Sequence, residues 1–174
     1  MMRFEFETLY DQGATKTMAR ALRKTIRKQR SKRSHIFGAL IIIAALLLTL
    51  PRDGEAFALT VRIVVTWLIA AGMAAVLIWE DGMNGYFARK RMLPGTERAV
   101  TVFGEESYFS ETVAGKTEFY YGNIHALGES KEYFVFVFSP NHAQIYDKRT
   151  MTGGTEAEFR CFIREKTGIE ITEI

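Results

Sequence analysis

Catalysis by side chains needs a nucleophile, an acid and base held together, or metal ligands at close spacing. This chain offers few such groups: three histidines and one cysteine in 174 residues. His35 precedes a long apolar run, His125 follows Ile124 in an alternating segment, and His142 follows Pro140-Asn141 in a turn. No spacing among them and Cys161 matches a zinc site. Cys161 stands beside Phe159, Phe162 and Ile163, a position for packing rather than for attack. Glu105-Glu106, Glu111 and Glu129-Ser130-Lys131-Glu132 read as solvated turns, not as a paired acid and base. Gly153-Gly154-Thr155 opens a helix whose free N–H groups attract anions, with Lys148 and Arg149 upstream. Thr155 and Glu158 compete for those donors as a capping box. The expectation is a protein with no catalytic residue, no metal and no cofactor, and not an enzyme.

The remaining concentration of charged groups is cationic. Lys16, Arg20, Arg23, Lys24, Arg27, Lys28, Arg30, Lys32 and Arg33 precede the apolar run 36–50, and Arg89, Lys90 and Arg91 follow a second run, 57–79. Overall the balance is modest, with Lys+Arg 23 against Asp+Glu 20. Two apolar runs separated only by Pro51-Arg52-Asp53-Gly54-Glu55-Ala56 read as a transmembrane hairpin that crosses a bilayer and returns. As a helix the first run is about 22 Å long, short of the roughly 30 Å hydrocarbon core. It therefore needs Arg33, His35 and Arg52 to reach the headgroup layers. The second run reaches about 35 Å. It ends at Trp79, which suits the interface, and Arg62 near its start is an anchor whose long stem snorkels. Glycines and alanines in both runs permit close helix packing, within the hairpin or in a homodimer. The cation excess beside both runs places both termini in the cytoplasm of a multi-pass cell-membrane protein. A single cysteine fits that compartment.

The elements that must position these groups follow from periodicity. Residues 1–13 contain a strand, Phe4 to Tyr10, which needs a distant partner because an isolated strand is unstable. Residues 14–35 form a basic amphipathic helix with Met18, Leu22 and Ile26 on one side. That helix either lies in the headgroup layer or runs on into the first span. From Lys16 to Arg30, with Lys148 and Arg149, its cations are candidate contacts to anionic lipid headgroups. Nucleic acid is the weaker alternative for such a patch. Residues 95–174 read as successive short strands, 99–103, 107–113, 118–121, 123–127, 133–138 and 143–146. They precede a helix begun by Thr155 and ended by Gly168. The fold class is α+β: a membrane hairpin plus a small β-barrel or strongly bent sheet, capped by the C-terminal helix.

Phe4-Glu5-Phe6, Ala88-Arg89-Lys90, Tyr120-Tyr121-Gly122-Asn123-Ile124, Lys131-Glu132-Tyr133-Phe134 and Asp147-Lys148-Arg149, leading to Glu158-Phe159-Arg160-Cys161-Phe162-Ile163, occur in an order that resembles the bacterial YcxB-like family. The resemblance implies a Phe-rich first strand, a basic helix, two membrane spans and a C-terminal domain with a pleckstrin-homology-like fold. Two kinds of function fit this reading. One is a membrane-anchored scaffold or sensor whose β domain binds a partner protein or a second copy. The other is recognition of anionic headgroups at the cytoplasmic leaflet.

Overall fold

The computed structural model describes residues 3–51 and 59–174. The polar turn at 52–56 and the first residues of the second apolar run, 57–58, lie outside the described residues. The chain divides into two units, one of residues up to Lys28 with Asp81–Ile174, the other Gln29–Glu80.

In the first unit, strand β1 (Glu5–Leu9) is followed by helix α1 (Gln12–Lys24), and helix α4 (Glu80–Lys90) leads to the remaining strands. These are β2 (Arg98–Phe103), β3 (Ser107–Thr112), β4 (Gly115–Tyr120), β5 (Ala126–Glu129), β6 (Tyr133–Ser139) and β7 (His142–Asp147), before helix α5 (Glu156–Thr167) and strand β8 (Ile171–Glu173). They form two four-stranded sheets, ordered β1-β2-β3-β4 and β7-β6-β5-β8. All pairings are antiparallel except β5 with β8.

The N-terminal strand finds the distant partner it needs: Phe6 stands opposite Thr101, and the Tyr10 N–H donates to the Glu97 carbonyl at 2.8 Å. Residues 11–96 are thus an insertion that leaves and re-enters the sheet at one point. Phe4, Phe6, Thr8 and Phe103 turn inward, and both Phe4 and Phe6 are fully buried. Phe6 touches the rings of Phe103, Tyr146 and Phe159 at centroid distances of 5.6, 5.6 and 4.8 Å. Tyr108 and Tyr146 bring hydroxyls into this core, and both donate to Gln144 Oε1, at 3.0 and 2.6 Å. Burial pushes both phenols well above the ordinary tyrosine range, so they remain protonated donors.

Neither a closed barrel nor a single bent sheet forms. The sheets separate at the 3₁₀ turn Tyr121–Asn123, between β4 and β5. On the other side the seam is closed by single contacts, not a ladder. Thr8 Oγ1 accepts from the Asp147 N–H at 3.1 Å, and Glu5 and Thr152 exchange backbone bonds of 3.2 and 2.9 Å. Helix α5 closes over the core with Phe159 and Ile163 buried. Its capping box, Thr155 with Glu158, and the left-handed Gly168 stand where the sequence places them. Cys161 is exposed, on the outer side of that helix and not packed within it.

The basic helix departs from its expected form. It stops at Lys24, and a second helix, α2 (Lys28–Leu47), starts after a break. Thr25 closes α1, its N–H and its hydroxyl both donating to the Ala21 carbonyl, at 3.0 and 2.7 Å. The apolar side of α1 is not open to lipid. Ala14, Ala21 and Leu22 are buried with Val135, Val137, Ala143 and Ile145, on the face of β6 and β7 opposite the aromatic core.

The second unit contains most of α2 and helix α3 (Val61–Ile78). The first apolar run is helical only to Leu47, where a span reaching residue 50 was expected. Gly38 lies against Leu77, so an added Cβ would come within 2.9 Å of Leu77 Cδ1. His35 stands 2.8 Å from the Ser31 carbonyl and 3.4 Å from Glu80, and the Trp67 indole donates to Thr49 at 3.1 Å. Among the described residues, α3 is the one helix long and apolar enough to cross a membrane. Thr60 caps it, which puts Arg62 in its first turn, and Trp79 closes its other end, 64% exposed.

Candidate functional site

The cations expected to meet headgroups are dispersed, and several are already engaged. Arg23 grips Asp81 as a fork, Nε to Oδ1 and Nη2 to Oδ2, both at 2.7 Å. Arg20 adds a third contact to the same carboxylate at 3.5 Å. Asp81 is in α4, so this clamp ties the two ends of the insertion together within the first unit. Gly85 completes it. An added Cβ there would lie 2.7 Å from the backbone N and Cα of Lys16, so α4 crosses α1 at a point where only glycine fits. Arg27 donates to Asn141 at 2.6 Å. Lys16, Lys24, Lys28 and Arg30 are exposed.

Lys148 is not a surface cation. Its side chain is 6% exposed, and its ammonium pairs with Glu129 and with Glu156, the latter at 3.2 Å. It also lies over the Phe134 ring at 4.5 Å. Arg160 joins the same pair of carboxylates, at 2.6 Å to Glu129 and 2.7 Å to Glu156. With Arg164 and Glu170 these residues line a cleft of about 600 Å³. Because the cations are matched by carboxylates of their own chain, the cleft holds a self-neutralised network that ties β5, the 3₁₀ turn Lys148–Thr150 and α5 together. Neighbouring Arg149 is held by Asp147, Nη2 to Oδ2 at 2.6 Å.

Burial pushes the Glu129 carboxyl up, but the hydrogen bonds from Arg160 and Lys148 outweigh it and hold the group below the usual range. Asp147 is likewise lowered: burial raises it and the Arg149 bonds overcome that. A depressed folded-state pKa contributes stability above the unfolded value, and that contribution disappears as pH falls through the folded value. The β domain is therefore expected to lose stability in two steps as pH falls, one below about pH 6.5, where the unfolded chain protonates His142 before the folded one does, and one below about pH 4.5. Glu129→Gln should flatten the acid limb of a pH series of melting curves. An unchanged limb would show that other carboxylates carry it.

The histidines stand apart: His125 is exposed, and His142 stacks on Phe138 at 4.9 Å, with its pKa lowered by burial. Among the described residues no group of three or more His, Cys, Asp or Glu could hold a metal ion. The sequence reading passes over Asp81 and Glu156 and takes Glu129 for a solvated turn residue, yet these are the acidic halves of the two charge clusters. The partners of Asp81 and Glu129 are distant along the chain, whereas Glu156 and Arg160 are an i,i+4 pair that helical spacing marks.

The structure is thus an α+β protein of two four-stranded sheets and five helices among the described residues. Residues 103–163 match the family model for YcxB-like protein, so the stretch from the end of β2 into α5 is YcxB-like. No curated protein and no solved structure matches the chain.

Proposed function

We propose that this chain is a non-catalytic membrane-anchored scaffold. In this reading the hairpin at 36–79 sits in the cell membrane, both termini are cytoplasmic, and the β domain binds a protein partner or a second copy. One observation carries the anchor: the apolar side chains of α2 and α3 face outward. Phe37, Leu40, Leu47, Leu68 and Ile78 are each more than half exposed, while Ala70 is the one buried residue of α3. Water penalises such a surface and lipid does not.

We read the β domain, two four-stranded sheets with helix α5 closing over their core, as a pleckstrin-homology-like module. Headgroup recognition is the second reading, and α4 favours it more than α1 does. Met83, Tyr86 and Phe87 share one exposed side of α4 at i, i+3 and i+4, and Arg89, Lys90 and Arg91 follow. Apolar residues backed by cations are the composition of an interfacial helix.

Alkaline carbonate extraction of cell membranes tests the anchor. The full chain should stay in the membrane pellet, and the Arg62→Lys variant should behave identically, since lysine snorkels as well. Release of the full chain into the supernatant would overturn the reading.

A further inference from the structure

Sheet edges attract other strands, and proteins blunt them with charged side chains, proline, bulges or covering segments. The edge of β1 is covered by Thr150 and Thr152: Glu7 N–H donates to Thr150 Oγ1 at 3.1 Å, and Glu5 exchanges backbone bonds with Thr152. The β7 edge packs toward β1, where Asp147 N–H donates to Thr8, and β8 is three residues long. The outer strand β4 has no such cover. Five of its six residues are exposed, and it contains no proline.

Its charges are of opposite sign and two residues apart, Lys116 and Glu118, both on the sheet face away from the core. The two-residue turn Val113-Ala114 makes Thr112 and Gly115 the closing hydrogen-bonded pair. By the alternation of antiparallel ladders, the backbone groups of Lys116, Glu118 and Tyr120 then point away from β3. We propose that β4 is a homodimerisation edge, at which two copies pair antiparallel about Thr117 so that Lys116 of each stands opposite Glu118 of the other. That register satisfies the outward N–H and C=O groups and pairs unlike charges twice. It also brings Tyr120, 55% exposed, alongside the turn of the second copy, where Val113 is 90% exposed. A register centred on Glu118 would set Glu118 against its own copy, so charge selects between the two.

Within one chain these side chains have weaker engagements. Lys116 lies over Phe109 at 4.8 Å and opposite Glu111, and Glu118 accepts from Ser107 at 2.5 Å. All of these lie on β3 and leave the outer edge open. The inference deepens the scaffold reading by naming a second copy as the partner. It draws strength from the anchor, because confinement to a membrane raises the effective concentration of such an edge.

The test is disulfide trapping of the full chain in native membranes, in a Cys161→Ser background. On the proposed axis the two Thr117 residues form a non-hydrogen-bonded pair, with Cα atoms about 4.5 Å apart, within disulfide reach. The Thr117→Cys variant should give a species of twice the 19.8 kDa chain under mild oxidation, and Glu111→Cys on β3 should not. Lys116→Glu alone, or Glu118→Lys alone, should reduce trapping about tenfold, because two attractive pairs become repulsive. The double exchange should restore it. Absence of the dimer band in a carbonate-resistant chain would overturn the dimer and leave the anchor standing. A dimer band in a chain that carbonate releases would keep the edge and overturn the anchor. Trapping indifferent to the charge exchanges would overturn the register.

Discussion

Phe6→Ala is expected to destabilise the β domain by about 3–5 kcal/mol, the cost of truncating a fully enclosed phenylalanine. Phe6 is completely buried and meets rings from both sheets and from α5: Phe103 of β2, Phe134 of β6, Tyr146 of β7 and Phe159. The neighbouring strands are hydrogen-bonded on both sides of the hole, so they can collapse into it only partly. Against a total of about 5–15 kcal/mol for a typical domain, the loss is a large fraction of the fold's stability. Leu9→Ala, on the same strand but 58% exposed, should cost less than about 0.5 kcal/mol. Pulse proteolysis in urea reads the β domain separately from the helices that carry both tryptophans. Equal midpoints for the two variants would mean that β1 is dispensable to the core.

Gly153→Ala acts on the same strand through the backbone. Gly153 has φ +87°, and a Cβ there would fall on the Arg3 carbonyl. Left-handed geometry costs an alanine about 1–2 kcal/mol. Relieving the clash also means releasing the Glu5–Thr152 bridge, two bonds of about 0.5–1.5 kcal/mol each. A loss of about 2–5 kcal/mol is expected. In hydrogen exchange of the full chain, the Glu5 and Thr152 amides should lose protection before those of β6. Retained protection at Glu5 would show that the loop moves aside without disturbing β1.

Where the determinants are local, the sequence reading holds. The Thr155–Glu158 box and Gly168 mark both ends of α5, and alternation finds most strands to within a residue or two. The pairing of Phe4 and Phe6 with a distant sheet followed from the need of a lone strand for a partner. Non-local features were less legible. Met18 and Leu22 make an apolar stripe that suits lipid and protein equally, and only the bare face of β6 and β7 decides between them. Helix α4 was not anticipated: glycine is a poor helix former, yet Gly85 is required by the crossing with α1. The three-residue β8 is too short to show a period. Glu129 resembled a solvated turn residue because Arg160, its partner, is 31 positions away.

The central claim is that an apolar hairpin inserted between two neighbouring strands anchors a cytoplasmic β domain. Cys161 is the natural probe, since it is the chain's one cysteine and is exposed on α5. A membrane-impermeant maleimide applied to intact cells should leave native Cys161 unlabelled and should label it once the cells are broken. In a Cys161→Ser background, Pro51→Cys at the far end of the first apolar run should label in intact cells. Labelling of Cys161 from outside, or protection of Pro51→Cys until lysis, would contradict the account.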